Sequence, residues 1–282
     1  MGVAGTFRAT VSYDGTDFSG WQVQAGRRTV QGVLQEALSS VLGAKVGVIA
    51  AGRTDAGVHA EGQVVCFRAA TRIPPEGIAA GANALLPEDV AILDLRPAPD
   101  SFHATYGAVG KVYRYEILSG RSRRPLRRRT SWRVAAPLDL RRMRKAAALL
   151  VGRRDFRSFR TNPGIEDDRG TTVRHLRRLD IRRRGDRILL EFEGDGFLYN
   201  MVRAIVGTLV QVGRGSWTPE RVGEALRAKD RAAGGPTAPP QGLTLVSVSY
   251  PGDGERLPTP GAPARRIPAS AKRRPRQRRA TS

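Results

Sequence analysis

Apolar positions along the first hundred residues switch between the two-residue period of a strand and the 3.6-residue period of a helix. Residues 7–13, Phe-Arg-Ala-Thr-Val-Ser-Tyr, alternate as a strand does, and Asp14-Gly15 breaks the pattern. From Thr29, apolar residues at Val30, Val33, Leu34, Ala37, Leu38, Val41 and Leu42 recur at helical spacing, with Thr29 as N-cap and Gly43 as the stop. Residues 45–51 predict a second strand, 62–69 a third, 76–86 a helix after Pro74-Pro75, and 89–96 a fourth strand. The order β-α-β-β-α-β is that of a split βαβ, or ferredoxin-like, unit.

A second run of the same kind follows. Residues 106–118 predict a strand with Lys111, Tyr113 and Tyr115 on one side. A short strand is expected at 131–134 and a helix at 139–151, with Leu140, Met143, Ala147, Leu150 and Val151 inward. Residues 160–172 read as a long loop, 175–184 and 186–193 as a hairpin, 198–212 and 219–228 as helices, and 243–250 as a last strand. The fold class is therefore α+β: two ferredoxin-like units, residues 1–105 and 106–250, whose antiparallel sheets leave a central cleft. Residues 251–282, rich in Pro, Gly, Ala and Arg, form a basic tail expected to be disordered.

The helix pattern at 198–212 isolates one charge. Met201/Val202, Ile205/Val206 and Leu209/Val210 define a buried stripe, and Arg203 lies off it, one turn before Gly207, where a missing side chain lets another backbone approach. A guanidinium near a buried edge needs a carboxylate partner.

Charge sharpens the picture because it is clustered. The chain carries a formal charge of +22, with 23 Lys/Arg against 7 Asp/Glu in residues 121–187 and 9 against 2 in the tail. Such clustering fits a polyanionic partner. Basic residues are not interleaved with a bulky apolar helical face, so a membrane-surface role is disfavoured. One cysteine, Cys66, rules out a disulfide within the chain, and His59, His103 and His175 are too scattered for a zinc spacing. No secretory signal and no apolar run near the roughly 20 residues of a membrane span is seen, which points to a cytoplasmic protein. Adjacent Asp167 and Asp168, the nearest approach to a metal-binding pair, rarely converge in a loop, and no metal site is expected.

Candidate chemistry concentrates in residues 48–60. Val48, Ile49, Ala50 and Ala51 form an apolar strand end, and Gly52 and Gly57 bracket Arg53, Thr54 and Asp55. A carboxylate on such a loop beside an arginine is expected to stay ionised, since a neighbouring cation lowers its pKa, and an ionised carboxylate suits a nucleophile. A structural alternative has Asp55 capping a turn and Arg53 as a surface charge. Phe18 and Trp21, in the loop after the first strand, are either RNA-stacking aromatics or core.

Gly52-Arg53-Thr54-Asp55-Ala56-Gly57-Val58-His59 resembles the active-site motif of the TruA family of tRNA pseudouridine synthases without a departure. Tyr13-Asp14-Gly15 with Phe18-Ser19-Gly20-Trp21-Gln22, Phe102-His103-Ala104, Lys111-Val112-Tyr113-Arg114-Tyr115 and Phe197-Leu198-Tyr199-Asn200-Met201-Val202-Arg203 follow in the family's order, over roughly residues 6–250. The resemblance implies a pseudouridine synthase fold and an isomerase that converts uridine to pseudouridine at positions 38–40 of the tRNA anticodon arm. It implies a homodimer on which one tRNA spans both subunits, and no cofactor. It also implies that Asp55 is catalytic, Arg203 pairs with it and Tyr113 stacks on the target uracil, with Arg53 and Lys111 among the substrate contacts. A noncatalytic RNA-binding protein on the same fold explains the charge but leaves Asp55 idle. An RNA glycoside hydrolase needs a second carboxylate, for which Glu61 is the nearest candidate.

Overall fold

The computed structural model describes residues 3–161 and 170–253; Asp167-Asp168 and nearly all of the basic tail lie outside the described residues. In chain order the elements are β1 (Val3–Tyr13), α1 (Val30–Leu42), β2 (Ile49–Ala50), β3 (His59–Thr71), α2 (Pro75–Leu85), β4 (Val90–Ala98), β5 (Gly110–Ser119), β6 (Trp132–Val134), α3 (Leu140–Ala148), β7 (Gly152–Asp155), β8 (Val173–Arg184), β9 (Arg187–Gly194), α4 (Met201–Gly213), α5 (Pro219–Ala228) and β10 (Leu243–Ser249). It is a mixed α+β arrangement built on one sheet, consistent with a pseudouridine synthase fold. No helix among the described residues is long and apolar enough to cross a membrane.

Strand order is β4-β1-β3-β10-β5-β9-β8-β7, with β2 beside β3 and β6 beside β5. The expected pair of separate sheets is thus corrected: the halves fuse where β10 pairs parallel with β3 through Thr244–His59 and Leu245–Ala60. On either side of that seam the long pairings β1–β3, β1–β4, β5–β10, β5–β9 and β8–β9 are antiparallel. The seam begins two residues after Gly57, so whatever the residue 52–58 loop carries is presented where the halves meet.

Local chemistry explains most element ends. Thr29 accepts from the Gly32 amide at the start of α1, and Gly43 ends that helix at φ 64°. Asp139 caps α3 by accepting from the Arg141 and Arg142 amides, and Thr218 caps α5 through the Arg221 amide. The strand expected at 45–51 shrinks to two residues because side chains of α1 take its backbone groups. Gln35 Oε1 accepts from the Val48 amide and Gln31 donates to the Val48 carbonyl, while Ser39 accepts from the Val46 amide. The unexpected β7 reads Gly-Arg-Arg-Asp, an edge strand without apolar alternation.

Most of α4 is buried rather than one stripe of it. Its packing depends on Gly207, where an added Cβ would collide with the Pro236 carbonyl. Two hydrogen bonds clamp the same contact, from the Ala238 amide to the Arg203 carbonyl (3.0 Å) and from Arg203 Nε to the Ala238 carbonyl (2.8 Å). Gly-to-Ala in a helix interior ordinarily stabilises by about 1 kcal/mol. At Gly207 the sign inverts: Gly207→Ala is expected to destabilise by about 1–3 kcal/mol through overpacking, read as a lower Tm in thermal unfolding. An unchanged or raised Tm would contradict this packing.

Candidate active site

The loop carrying Asp55 is held by a buried polar network behind it. Tyr13 on β1 and Thr54 share a hydroxyl hydrogen bond of 2.8 Å, and Gln63 on β3 donates to the Gly52 carbonyl at 2.8 Å. The Trp21 amide donates to the Thr54 carbonyl at 3.0 Å. Burial pushes the Tyr13 phenol up to about 12, so it remains a neutral donor or acceptor. Phe18 and Trp21 are both buried, which settles them as core supports of this loop rather than RNA-stacking groups. His59 links the turn to the seam: its Nδ1 accepts from the Gly15 amide at 3.1 Å, and its Nε2 lies 3.2 Å from the Gln241 carbonyl.

Of the bracketing glycines, Gly57 is required by its backbone, whereas the close neighbour of Gly52 is the flexible end of a lysine, which can shift. Gly57 adopts φ 77°, and a Cβ on Gly52 would sit 2.7 Å from Lys111 Nζ. The Lys111 ammonium donates to the Ala51 carbonyl at 2.9 Å, bracing the strand end beneath the turn.

Arg203 reaches Asp55 from the other half of the chain. Its Nη1 lies 3.0 Å from Asp55 Oδ2, with the two side chains 15% and 19% exposed. The same Nη1 donates to Asn200 Oδ1 at 2.6 Å, and Asn200 in turn donates to Thr161 Oγ1 at 2.6 Å. Asn200 occupies the left-handed region at φ 59°, a conformation asparagine tolerates better than most residues, and this turn delays the start of α4 to Met201.

Withdrawal from water pushes the Asp55 carboxyl above its ordinary range, and the Arg203 guanidinium opposes that rise without cancelling it. The downward shift expected from a neighbouring cation is therefore corrected in sign. An ion pair at about 4 Å in a medium of intermediate polarity gains about 4 kcal/mol, while partial dehydration costs several kcal/mol per ion, so the balance can fall either way.

A pocket of about 250 Å³ opens over the Asp55 side of the pair. Tyr113 forms one wall, 8% exposed and edge-on to Phe197 with ring centroids 5.1 Å apart. Burial pushes its phenol well above the ordinary range, with Tyr13 and Asp55 adding to the effect. Arg53 is exposed on the lining and has no hydrogen-bond partner among the described residues. Arg160 and the buried Arg174 also line it. Asp55, Arg203 and Tyr113 therefore converge, with Arg53 and Lys111 at the same pocket. Glu61 does not join them: it is engaged by Arg114. Sequence reasoning missed Asn200 and Gln63 as supports; Asn200 stood in a quoted motif, but its role depends on a backbone turn that composition does not reveal.

A family model described as tRNA pseudouridine synthase matches residues 9–107 and 146–251, which include Arg53, Asp55, Asn200 and Arg203 of this site but not Lys111 or Tyr113. The chain belongs to that family. A tRNA pseudouridine synthase A of Myxococcus xanthus is 45% identical over 255 residues, covering 90% of this chain and 95% of the relative. Those of Methylococcus capsulatus (46% over 241 residues, 86% and 88% covered) and a Thermoanaerobacter species (43% over 240 residues, 85% and 97% covered) are similarly close. The synthase match leaves out residues 108–145, where the arginine-rich connection lies. Part of the basic excess of residues 121–187 is spent internally: Arg124 pairs with Asp186, Arg129 with Asp17, and Arg187 with Glu116.

Arg203→Ala removes the cation that opposes the upward shift, so the Asp55 carboxyl rises further and loses its charge at higher pH as the solution is acidified. The acid limb of the kcat–pH profile is then expected to move to higher pH, with activity at pH 7 reduced by about tenfold per pKa unit once the pKa exceeds the assay pH. An unmoved limb with wild-type kcat would remove Arg203 from the site's electrostatics.

Proposed function

We propose that the chain isomerises uridine to pseudouridine at positions 38–40 of the tRNA anticodon arm, with Asp55 acting at the ribose. Family membership makes it an isomerase acting on tRNA. The Asp55–Arg203 pair beneath a tyrosine-walled pocket carries the finer reading, because it is a buried carboxylate with one opposing cation and no second carboxylate beside it among the described residues.

Isomerisation breaks the N1–C1′ bond, turns the base, joins C5 to C1′ and releases the C5 proton, while N1, freed from the sugar, takes up a proton. Nothing is oxidised, and the sum of atoms is unchanged. Asp55 serves this sequence as nucleophile or as base toward the sugar, and either role needs the carboxylate form that Arg203 favours. Tyr113 holds the detached uracil by stacking. Lys111 braces the turn from below and adds positive charge near the substrate, and Arg53 contacts the displaced nucleotide or its phosphate. A pocket of about 250 Å³ admits one nucleotide and not a duplex, so the target is flipped out. Flipping costs a few kcal/mol, offset by phosphate contacts from arginines of the 121–187 stretch such as Arg121, Arg123 and Arg128, which keep no carboxylate partner among the described residues.

Two split βαβ units, residues 1–105 and 106–250, followed by a basic tail, remain our reading of the architecture. The repeated neighbour pattern supports it, β4-β1-β3-β2 in one half and β10-β5-β9-β8 in the other. Likeness to the family likewise supports a homodimer on which one tRNA spans both subunits.

Unmodified tRNA transcripts incubated with the wild-type protein and digested for mass-spectrometric mapping test the target. Pseudouridine is expected at positions 38–40 and nowhere else in the transcript. Product confined to another arm would overturn the anticodon assignment, and no product at all would favour a binding protein on this fold.

A further inference from the structure

Two exposed aromatic side chains of the described residues line the pocket, Tyr199 at 41% and Tyr106 at 74%, and Tyr106 is by far the more open. An apolar ring left open to water beside a site for nucleotides needs an explanation, and the backbone around it is built to keep it there. The expected strand at 106–118 starts only at Gly110, and residues 103–107 form a turn in which the Gly107 amide donates to the His103 carbonyl at 2.9 Å. His103 Nδ1 accepts from the amides of Thr105 (3.2 Å) and Tyr106 (3.3 Å), and the imidazole stacks against the Tyr106 ring at 4.4 Å with 28° between planes.

The turn is tied to the sheet on three sides. The Thr105 hydroxyl donates to the Ala50 carbonyl at 2.7 Å, on the strand that leads into the Asp55 loop. The Ala104 carbonyl accepts from the Tyr250 hydroxyl at 2.6 Å, and the Ala104 amide donates to Cys66 Sγ at 3.4 Å. Phe102 packs on the Tyr250 ring at 5.0 Å. The motif Phe102-His103-Ala104 thus has a structural result, which is to hold the next aromatic ring rigidly at the rim of the pocket.

We propose that Tyr106 is a stacking platform for a nucleobase of the substrate RNA beside the flipped-out uridine. Tyr113 is buried and takes the target base inside; Tyr106 is open and receives a neighbour outside. Every base has a π-face, so such a platform positions the strand without reading its sequence, and backing by His103 reduces the ordering cost of binding. The assignment rests on the pocket being the uridine site.

Wild type, Tyr106→Ala, Tyr106→Phe and Tyr106→Leu would be compared on an unmodified tRNA and on an anticodon stem–loop carrying 2-aminopurine next to the target. Tyr106→Ala is expected to raise KM and Kd about fivefold or more and to abolish the 2-aminopurine quench that wild type produces, with little change in kcat. Tyr106→Phe should match wild type, and Tyr106→Leu should fail as Ala does, because it restores apolar bulk without a ring. A wild-type Kd and quench in Tyr106→Ala would overturn the proposal, as would full rescue by Leu. The quench is read without turnover: an inactive wild type that still quenches through Tyr106 would defeat the isomerase reading and leave the platform standing. Because Tyr106 is exposed, an unchanged Tm is expected in all three variants.

Discussion

One ion pair, partly withdrawn from water, ties the chemistry of this molecule to its topology. Asp55 and Arg203 are 148 residues apart, and each is placed by a different half of the chain. Separately, each charge would sit dehydrated without a partner, a state that costs several kcal/mol. Together they define where the halves must meet, and the β3–β10 seam, the Gly207–Pro236 contact and the Asn200 turn all serve that meeting.

The same pair sets the electrostatic condition of the pocket. Burial alone favours the protonated, unreactive form of Asp55, whereas a fully solvated aspartate would be ionised but surrounded by competing water. Arg203 moderates the first tendency without exposing the carboxylate. Burial also keeps Tyr113, in the pocket wall, and Tyr13, behind the Asp55 loop, as neutral phenols, while Lys111, Arg53, Arg160 and Arg174 place positive charge on the lining. An anionic nucleotide entering from the rim meets positive charge first and a carboxylate last.

Much of this was legible in the sequence where the cause is local. Helix α1 ends where Thr29 and Gly43 say it should, and α3 starts after Asp139, because caps act over three or four residues. The site residues were legible through motifs, and Gly207 through the close approach it permits. What could not be read is non-local. One sheet replaces two because a two-residue parallel pairing joins strands almost two hundred positions apart, and β2 is short because glutamines of α1 satisfy its backbone. The direction of the Asp55 shift depends on how much water the fold removes, which no neighbour in the sequence reports. Phe18 and Trp21 were ambiguous for the same reason, and burial decides them.

The central claim is that Asp55, in the setting described, performs the isomerisation. Release of tritium from tRNA labelled at uridine C5, measured for wild type and Asp55→Ala alongside their tRNA affinities, tests it most directly. The account predicts release by wild type, none by Asp55→Ala, and affinities within about tenfold of each other, since Asp55 contributes charge to the reaction and not to phosphate binding. Continued release by Asp55→Ala would contradict it.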